Sequence, residues 1–209
     1  MKKLFVLAAV AVLSVSSVFA QSVMHGLNLS FPQSSRTYDF DDFTYDVDAE
    51  YSNVHINYNL MTMSRSKFSM ILGVGMGSSD GEISANGTTI DGFEGFGMDF
   101  KFGCGFAPIN NGRMVLAIHG IAGLNLNSVT ETKSPFEYEM WDFGFCAGAD
   151  VVFGVRFADS FGMMAGLDVT FDLAGTGSVS PKNGSSSMDF SYTGTGVNVV
   201  PRIGVCWIK

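Results

Sequence analysis

Asn53-Val54-His55-Ile56-Asn57-Tyr58-Asn59-Leu60 alternates polar and apolar residues without a break. Successive side chains of a β-strand point to opposite faces, so Val54, Ile56, Tyr58 and Leu60 share one face and Asn53, His55, Asn57 and Asn59 the other. Such a pattern predicts a strand with hydrocarbon on one side and water or polar partners on the other. The same period runs through seven further segments. Val23, Leu27, Leu29 and Phe31 oppose Gly26, Asn28 and Ser30; Phe68, Met70, Leu72, Val74 and Met76 oppose Ser69, Gly73 and Gly75. Phe96 to Phe106 alternates with Gly97, Asp99, Lys101, Gly103 and Gly105. Trp141 to Phe153, Phe161 to Leu173 and Val197 to Trp207 repeat the theme, and Met114 to Leu126 does so less cleanly.

The connections between these eight segments alternate in length. Met63–Lys67, Pro108–Arg113 and Arg156–Ser160 are short, and Asn111-Gly112 is a strong tight-turn signal. Ser34–Ala49, Ser78–Gly92, Ser128–Glu137 and Ala174–Asp189 are longer, polar and rich in Gly, Ser, Thr or Asp, and are expected as loops. The Asn-Gly pairs at 86–87 and 183–184 are expected as tips of hairpins within them.

Lys2 and Lys3, the apolar run Leu4–Leu13 and the small residues of Val18-Phe19-Ala20 have the form of a secretion signal cleaved after Ala20. A single domain is expected over 21–209. Removing the signal takes the basic residues from 12 to 10 against 20 acids, a formal charge of −10. That balance argues against nucleic acid as a partner, because its binding depends on cations that neutralise phosphate. Charged residues make up 15% of the chain, where about a quarter is usual in soluble domains. Downstream of the signal no apolar run approaches the roughly 18 residues of a membrane helix.

A soluble barrel would carry its bulky apolar residues inside. Here the polar faces are rich in Gly, Ser and Asn, while the other faces hold most of the Phe. Eight strands enclose a lumen that side chains just fill, so the small polar faces fit within and the large rings fit lipid. The expected fold is therefore all-β: an eight-stranded antiparallel up-and-down transmembrane β-barrel with short periplasmic turns and long outer loops, in the cell outer membrane.

The chain resembles the small eight-stranded barrels of bacterial outer membranes, the OmpX, OmpW and opacity-protein group, over all of its length after the signal. The resemblance rests on architecture and on the closing stretch Val197-Asn-Val-Val-Pro-Arg-Ile-Gly-Val-Cys-Trp-Ile-Lys209, which is similar to the terminal strand read during membrane insertion. Members of the group end on an aromatic residue, whereas Trp207 here is followed by Ile208 and Lys209. The Gly- and Phe-rich style is similar to that of spirochaetal barrels. The resemblance implies outer-membrane lipid and the outer-membrane assembly machinery as partners, and a monomer.

Asp99, Lys101, His119, Asp142, Asp150, Asp168, Asp172 and Arg202 all fall on the polar faces. Unpaired charge in a low-dielectric lumen is costly, so ion pairs or water must satisfy them. A packed electrostatic plug is the expected arrangement, with a polar path or proton-sensitive gate as the alternative; the acidic excess would make such a path favour cations. Phe40, Asp41, Asp42, Phe43 and Tyr45 lie in the densest charge cluster and are candidates for contact with a host or surface ligand. Asp46, Asp48 and Glu50 follow, but the central glycine and terminal glutamate of an EF-hand are missing, so no metal is expected.

Catalysis has little support: His25, His55 and His119 lie on separate strands without a nucleophile motif, and no cofactor is implied. A site assembled from distant strands would escape this reading. Cys104 is expected on the lipid face and Cys146 and Cys206 in the lumen, which argues for free thiols. The leading expectation is a structural or surface-interaction barrel acting through its outer loops. The alternatives are a narrow conduit for small hydrophobic solutes or ions, as the OmpW resemblance implies, and a soluble periplasmic carrier of a lipophilic ligand.

Overall fold

A computed structural model describes residues 22–40, 47–85, 88–133, 136–183, 186–187 and 190–209. The proposed signal and Asp41, Asp42, Phe43 and Tyr45 lie outside the described residues. The strands are β1 (Ser22–Ser30), β2 (Gln33–Phe40), β3 (Val47–Met63), β4 (Phe68–Ala85), β5 (Thr88–Asn110), β6 (Met114–Lys133), β7 (Phe136–Arg156), β8 (Phe161–Asn183), the two-residue β9 (Ser186–Ser187) and β10 (Phe190–Ile208). Each long strand pairs antiparallel with the next, and β10 returns to pair with both β1 and β2, closing the sheet into a barrel.

Ten segments make eight staves. β1 and β2 are one stave interrupted at Phe31-Pro32, where proline has no N–H to give the ladder. Pairing continues through the break: Phe31 N donates to Pro201 O at 2.9 Å and Asn53 N to Pro32 O at 2.9 Å. β9 pairs with Lys182 and Asn183 of β8.

The three short turns fall where the sequence puts them. Between β5 and β6, Gly112 takes φ +76°, which glycine adopts without steric cost, and Asn111 Oδ1 accepts from Arg113 N and Met114 N at 3.1 and 2.8 Å. The four segments expected as long outer loops are instead mostly strand. β2 occupies Gln33–Phe40, β4 runs on to Ala85, β5 starts at Thr88, β6 ends at Lys133 and β8 at Asn183. A strand crosses a bilayer in about 9–11 residues, so roughly half of the 23-residue β5 and β8 stands beyond it.

Outward residues show where the membrane ends. Val54, Ile56 and Tyr58 of β3 are exposed and apolar, then Ser52, Glu50 and Asp48 take their place on the same face. On β4, Val74 and Met76 give way to Ser78 and Asp80, and on β10 Val199 and Val197 to Thr195 and Thr193. The opposite edge of the apolar belt carries aromatic rings. Phe161 packs edge-on against Phe157 and Trp207, with centroids 5.4 and 5.8 Å away, and Lys67 Nζ lies 5.8 Å over Phe106. Amphipathic and aromatic side chains of this kind sit at a membrane interface. Exposed Leu27, Leu29, Ile56, Phe102, Phe145, Phe171 and Ile203 complete the belt between the two edges.

Candidate functional site

The lumen is filled in layers. At the short-turn end Met24, Met61, Met63, Ile71, Val115, Ile121, Val152, Met164 and Ile208 are buried together. These positions break the expectation of a uniformly polar interior, and they explain the unclean pattern of β6, whose Val115, Ala117 and Ile121 face inward. At the hairpin end Tyr38, Tyr51, Tyr192, Phe93, Val129 and Met140 form a second apolar layer.

Between the two lies a polar layer built on basic side chains that each hold two carboxylates or share one. Arg202 of β10 reaches Asp150 of β7 through Nη2 and Asp168 of β8 through Nη1, and Lys101 of β5 pairs with Asp168 from the other side. His119 Nδ1 is 3.3 Å from Asp150 Oδ2, and its Nε2 is hydrogen-bonded to Ser69 Oγ at 2.9 Å. Glycine makes this possible: a Cβ on Gly166 would lie 2.6 Å from Arg202 Nε.

A second network lies toward the hairpins. Arg36 Nη1 meets Asp142 Oδ2 at 2.5 Å and its Nε meets Asp172 Oδ2 at 2.9 Å. Asp142 also accepts from Tyr38 Oη at 2.8 Å and Asn127 Nδ2 at 3.1 Å, and Asp172 from Asn198 Nδ2 at 2.9 Å and Asn125 Nδ2 at 3.2 Å. The guanidinium stacks 5.7 Å over the Tyr51 ring, tying the network to the apolar layer above it. Each charged side chain here lies against an opposite charge, which offsets the cost of burying it.

Of the residues the sequence puts in the lumen, Lys101, His119, Asp150, Asp168 and Arg202 form one network, and Asp142 and Asp172 belong to the other. Asp99 joins neither; its Oδ2 pairs with His55 Nδ1 at 2.8 Å. Phe40 closes β2, outside this set. The cation of the second network, Arg36, is absent from the sequence-based set because it falls in a stretch expected as loop. Its signal is period two across Ser34, Arg36 and Tyr38, all inward, against outward Ser35, Thr37 and Asp39.

A cavity of about 50 Å³ separates the networks, lined by Arg36, His55, Asp99, Lys101, Asn125 and Asp168 among others. A water needs about 10–15 Å³ on this measure, so the space suits a few waters and no larger solute. Buried Asn53 Oδ1 and His55 Nε2 have no protein hydrogen-bond partner. Among the described residues no three His, Cys, Asp or Glu side chains converge as a metal site. Cys146 and Cys206 are buried free thiols, and free Cys104 is exposed on the outer wall.

Two solved structures are similar to this fold. The outer membrane protein OprG from Pseudomonas aeruginosa superposes with a TM-score of 0.62 at 9% identity, covering 91% of this chain and 97% of that one. A major outer membrane protein from Thermus thermophilus gives 0.57 at 13% identity, covering 87% and 99%. The fold is that of an outer-membrane β-barrel. No protein-family model and no curated protein matches the sequence, so the likeness is one of fold. An exterior that is apolar all round, bounded by polar hairpins at one end and aromatic rings at the other, is suited to a bilayer.

Proposed function

We propose that this chain is an integral barrel of the cell outer membrane that serves as a sealed, rigid scaffold, holding its extended hairpins outside the cell for structural or surface interactions. The observation that carries this reading is the filled lumen: two apolar layers enclose two ion-pair networks, and the space left between them holds only a few waters. β4, β5 and β8 extend past the apolar belt as paired strands, so the outer face is built on hydrogen-bonded hairpin stems. Stiff display surfaces lose little conformational freedom when they bind. Acids dominate the outward wall there: Asp48, Glu50, Asp80, Glu82, Asp91 and Glu94 are all on β3 to β5.

The second reading is a narrow conduit, supported by the polar cavity and by five lumenal aspartates against Arg36, Lys101 and Arg202. For it to conduct, both apolar layers and at least one network must move aside. Single-channel recording in planar bilayers separates the two. The scaffold reading expects no steady conductance from the full chain; a steady, cation-selective current transfers the function to the conduit.

A further inference from the structure

One stretch of the outer wall is hollow. Cys104 of β5, Gly120 and Ala122 of β6 and Ala147 of β7 point outward side by side, with Cys104 opposite Gly120 and Ala122 opposite Ala147. The wall around them carries exposed Phe102, Phe106, Ile118 and Phe145. A Cβ on Gly120 would meet nothing nearer than the Cys104 carbonyl oxygen at 4.0 Å. The groove so formed reaches Leu60 and Thr62 of β3 and holds about 520 Å³, against about 50 Å³ for the lumenal cavity. Its wall is almost wholly apolar, so it suits a hydrocarbon chain and not water. One polar group interrupts it. Thr62, near the short-turn end of β3, is 9% exposed, and among the described residues its hydroxyl has no hydrogen-bond partner. An O–H held in an apolar wall is costly without an acceptor, so an acceptor belongs in the groove. Positive charge stands just beyond. Lys67 Nζ lies 5.8 Å over the ring of Phe106, the next outward residue of β5 after Cys104. Arg65 shares its turn, and the three short turns carry Arg65, Lys67, Arg113 and Arg156 against one acid, Asp159.

We infer that this groove binds one anionic phospholipid from the leaflet on the short-turn side. An acyl chain lies along Gly120 and Ala122, an ester carbonyl accepts from Thr62 Oγ1, and the phosphate faces Lys67 and Arg65. Basic side chains near a membrane surface favour anionic headgroups. The lipid enters sideways from the bilayer, so nothing has to pass through the lumen. The inference rests on the apolar wall facing lipid and is independent of whether the lumen conducts.

The test folds the full chain into vesicles of equal palmitoyl-oleoyl phosphatidylglycerol and phosphatidylcholine, extracts it in mild detergent and counts bound lipid by native mass spectrometry. The monomer should keep one phosphatidylglycerol in preference to phosphatidylcholine. Gly120→Phe and Ala122→Phe, which fill the groove from outside the barrel, should each lose that lipid, while Ile203→Phe on β10 should keep it. Lys67→Asn should lower the preference for phosphatidylglycerol about fivefold, the weight of one basic residue at an anionic surface; asparagine suits the left-handed φ of +66° at this position. Thr62→Val should weaken retention of both lipids about fivefold, the weight of one hydrogen bond. Equal retention of the two lipids by the wild-type chain, retention indifferent to both phenylalanine variants, or a dimer that Ala122→Phe dissolves overturns the site. Variants are compared only where heat-dependent gel mobility shows a folded barrel, and the wild-type preference is decisive without them. A chain that inserts and shows no preference overturns the lipid site alone; a chain that fails to stay with the vesicles refutes the membrane orientation and the site with it.

Discussion

Replacing Arg202 by Met tests whether the lumen is a dry electrostatic plug. Arg202 is 3% exposed and is shared by Asp150 and Asp168. Asp168 keeps Lys101 when the guanidinium goes, but Asp150 is left with His119 at 3.3 Å, a cation only when protonated. The loss is therefore that of one stranded carboxylate, about 3–5 kcal/mol for breaking a buried pair from one side. Against a total stability of about 5–15 kcal/mol this is a large fraction. Urea unfolding in phospholipid vesicles, followed by tryptophan fluorescence and by heat-dependent gel mobility, reads it directly. Adding Asp150→Leu should recover most of the loss, because apolar replacement of a whole buried ion pair is often close to neutral. A single variant that loses less than about 1 kcal/mol, within the range of an exposed pair, would mean that water already solvates these charges and would refute the sealed lumen.

Three further outcomes follow from the packing. Gly75→Val should cost about 1–3 kcal/mol in the same unfolding assay, since its Cβ overlaps Asn57 Oδ1 and Asp99 Oδ2, whereas Gly120→Ala, with open space outside the barrel, should cost almost nothing. Tyr38→Phe removes the donor to Asp142 and the contact with Tyr51 Oη at 3.0 Å, and should cost about 1–3 kcal/mol with faster amide exchange in the outer ends of β2 and β3. A membrane-permeant maleimide should reach Cys146 and Cys206 only after unfolding; labelling of Cys146 in the folded protein would place water in the lumen.

The membrane-embedded parts of the staves were legible because lipid imposes a contrast on each of them: Val54, Ile56 and Tyr58 outside against Asn53, His55 and Asn57 inside. Past the bilayer that contrast disappears. Ser35, Thr37 and Asp39 face water while Ser34 and Arg36 face the lumen, so β2 is polar on both sides and reads as a loop although its period of two persists. The apolar layer near the turns was obscured for the opposite reason. Val115, Ala117 and Val152 face inward among residues that are apolar outward as well, leaving little alternation to read. The lumenal aspartates were visible one strand at a time, but their pairing was not. Lys101 and Asp168 are 67 positions apart and Arg202 and Asp150 are 52 apart, and only barrel closure brings them together. Arg36 followed its strand out of view.

The central claim, that the apolar wall faces lipid and the hairpins stand beyond it, is tested most directly by nitroxide accessibility along one outward face of β3. Spin labels are placed singly at Asp48, Glu50, Ser52, Val54, Ile56, Tyr58 and Leu60, whose side chains point outward, in a background with Cys104, Cys146 and Cys206 replaced by Ala and checked for the folded gel mobility. In reconstituted vesicles, collisions with oxygen should dominate from 54 to 60 and collisions with a water-soluble nickel chelate from 48 to 52. Nickel accessibility at all seven positions would contradict the membrane orientation and leave a barrel that stands in water.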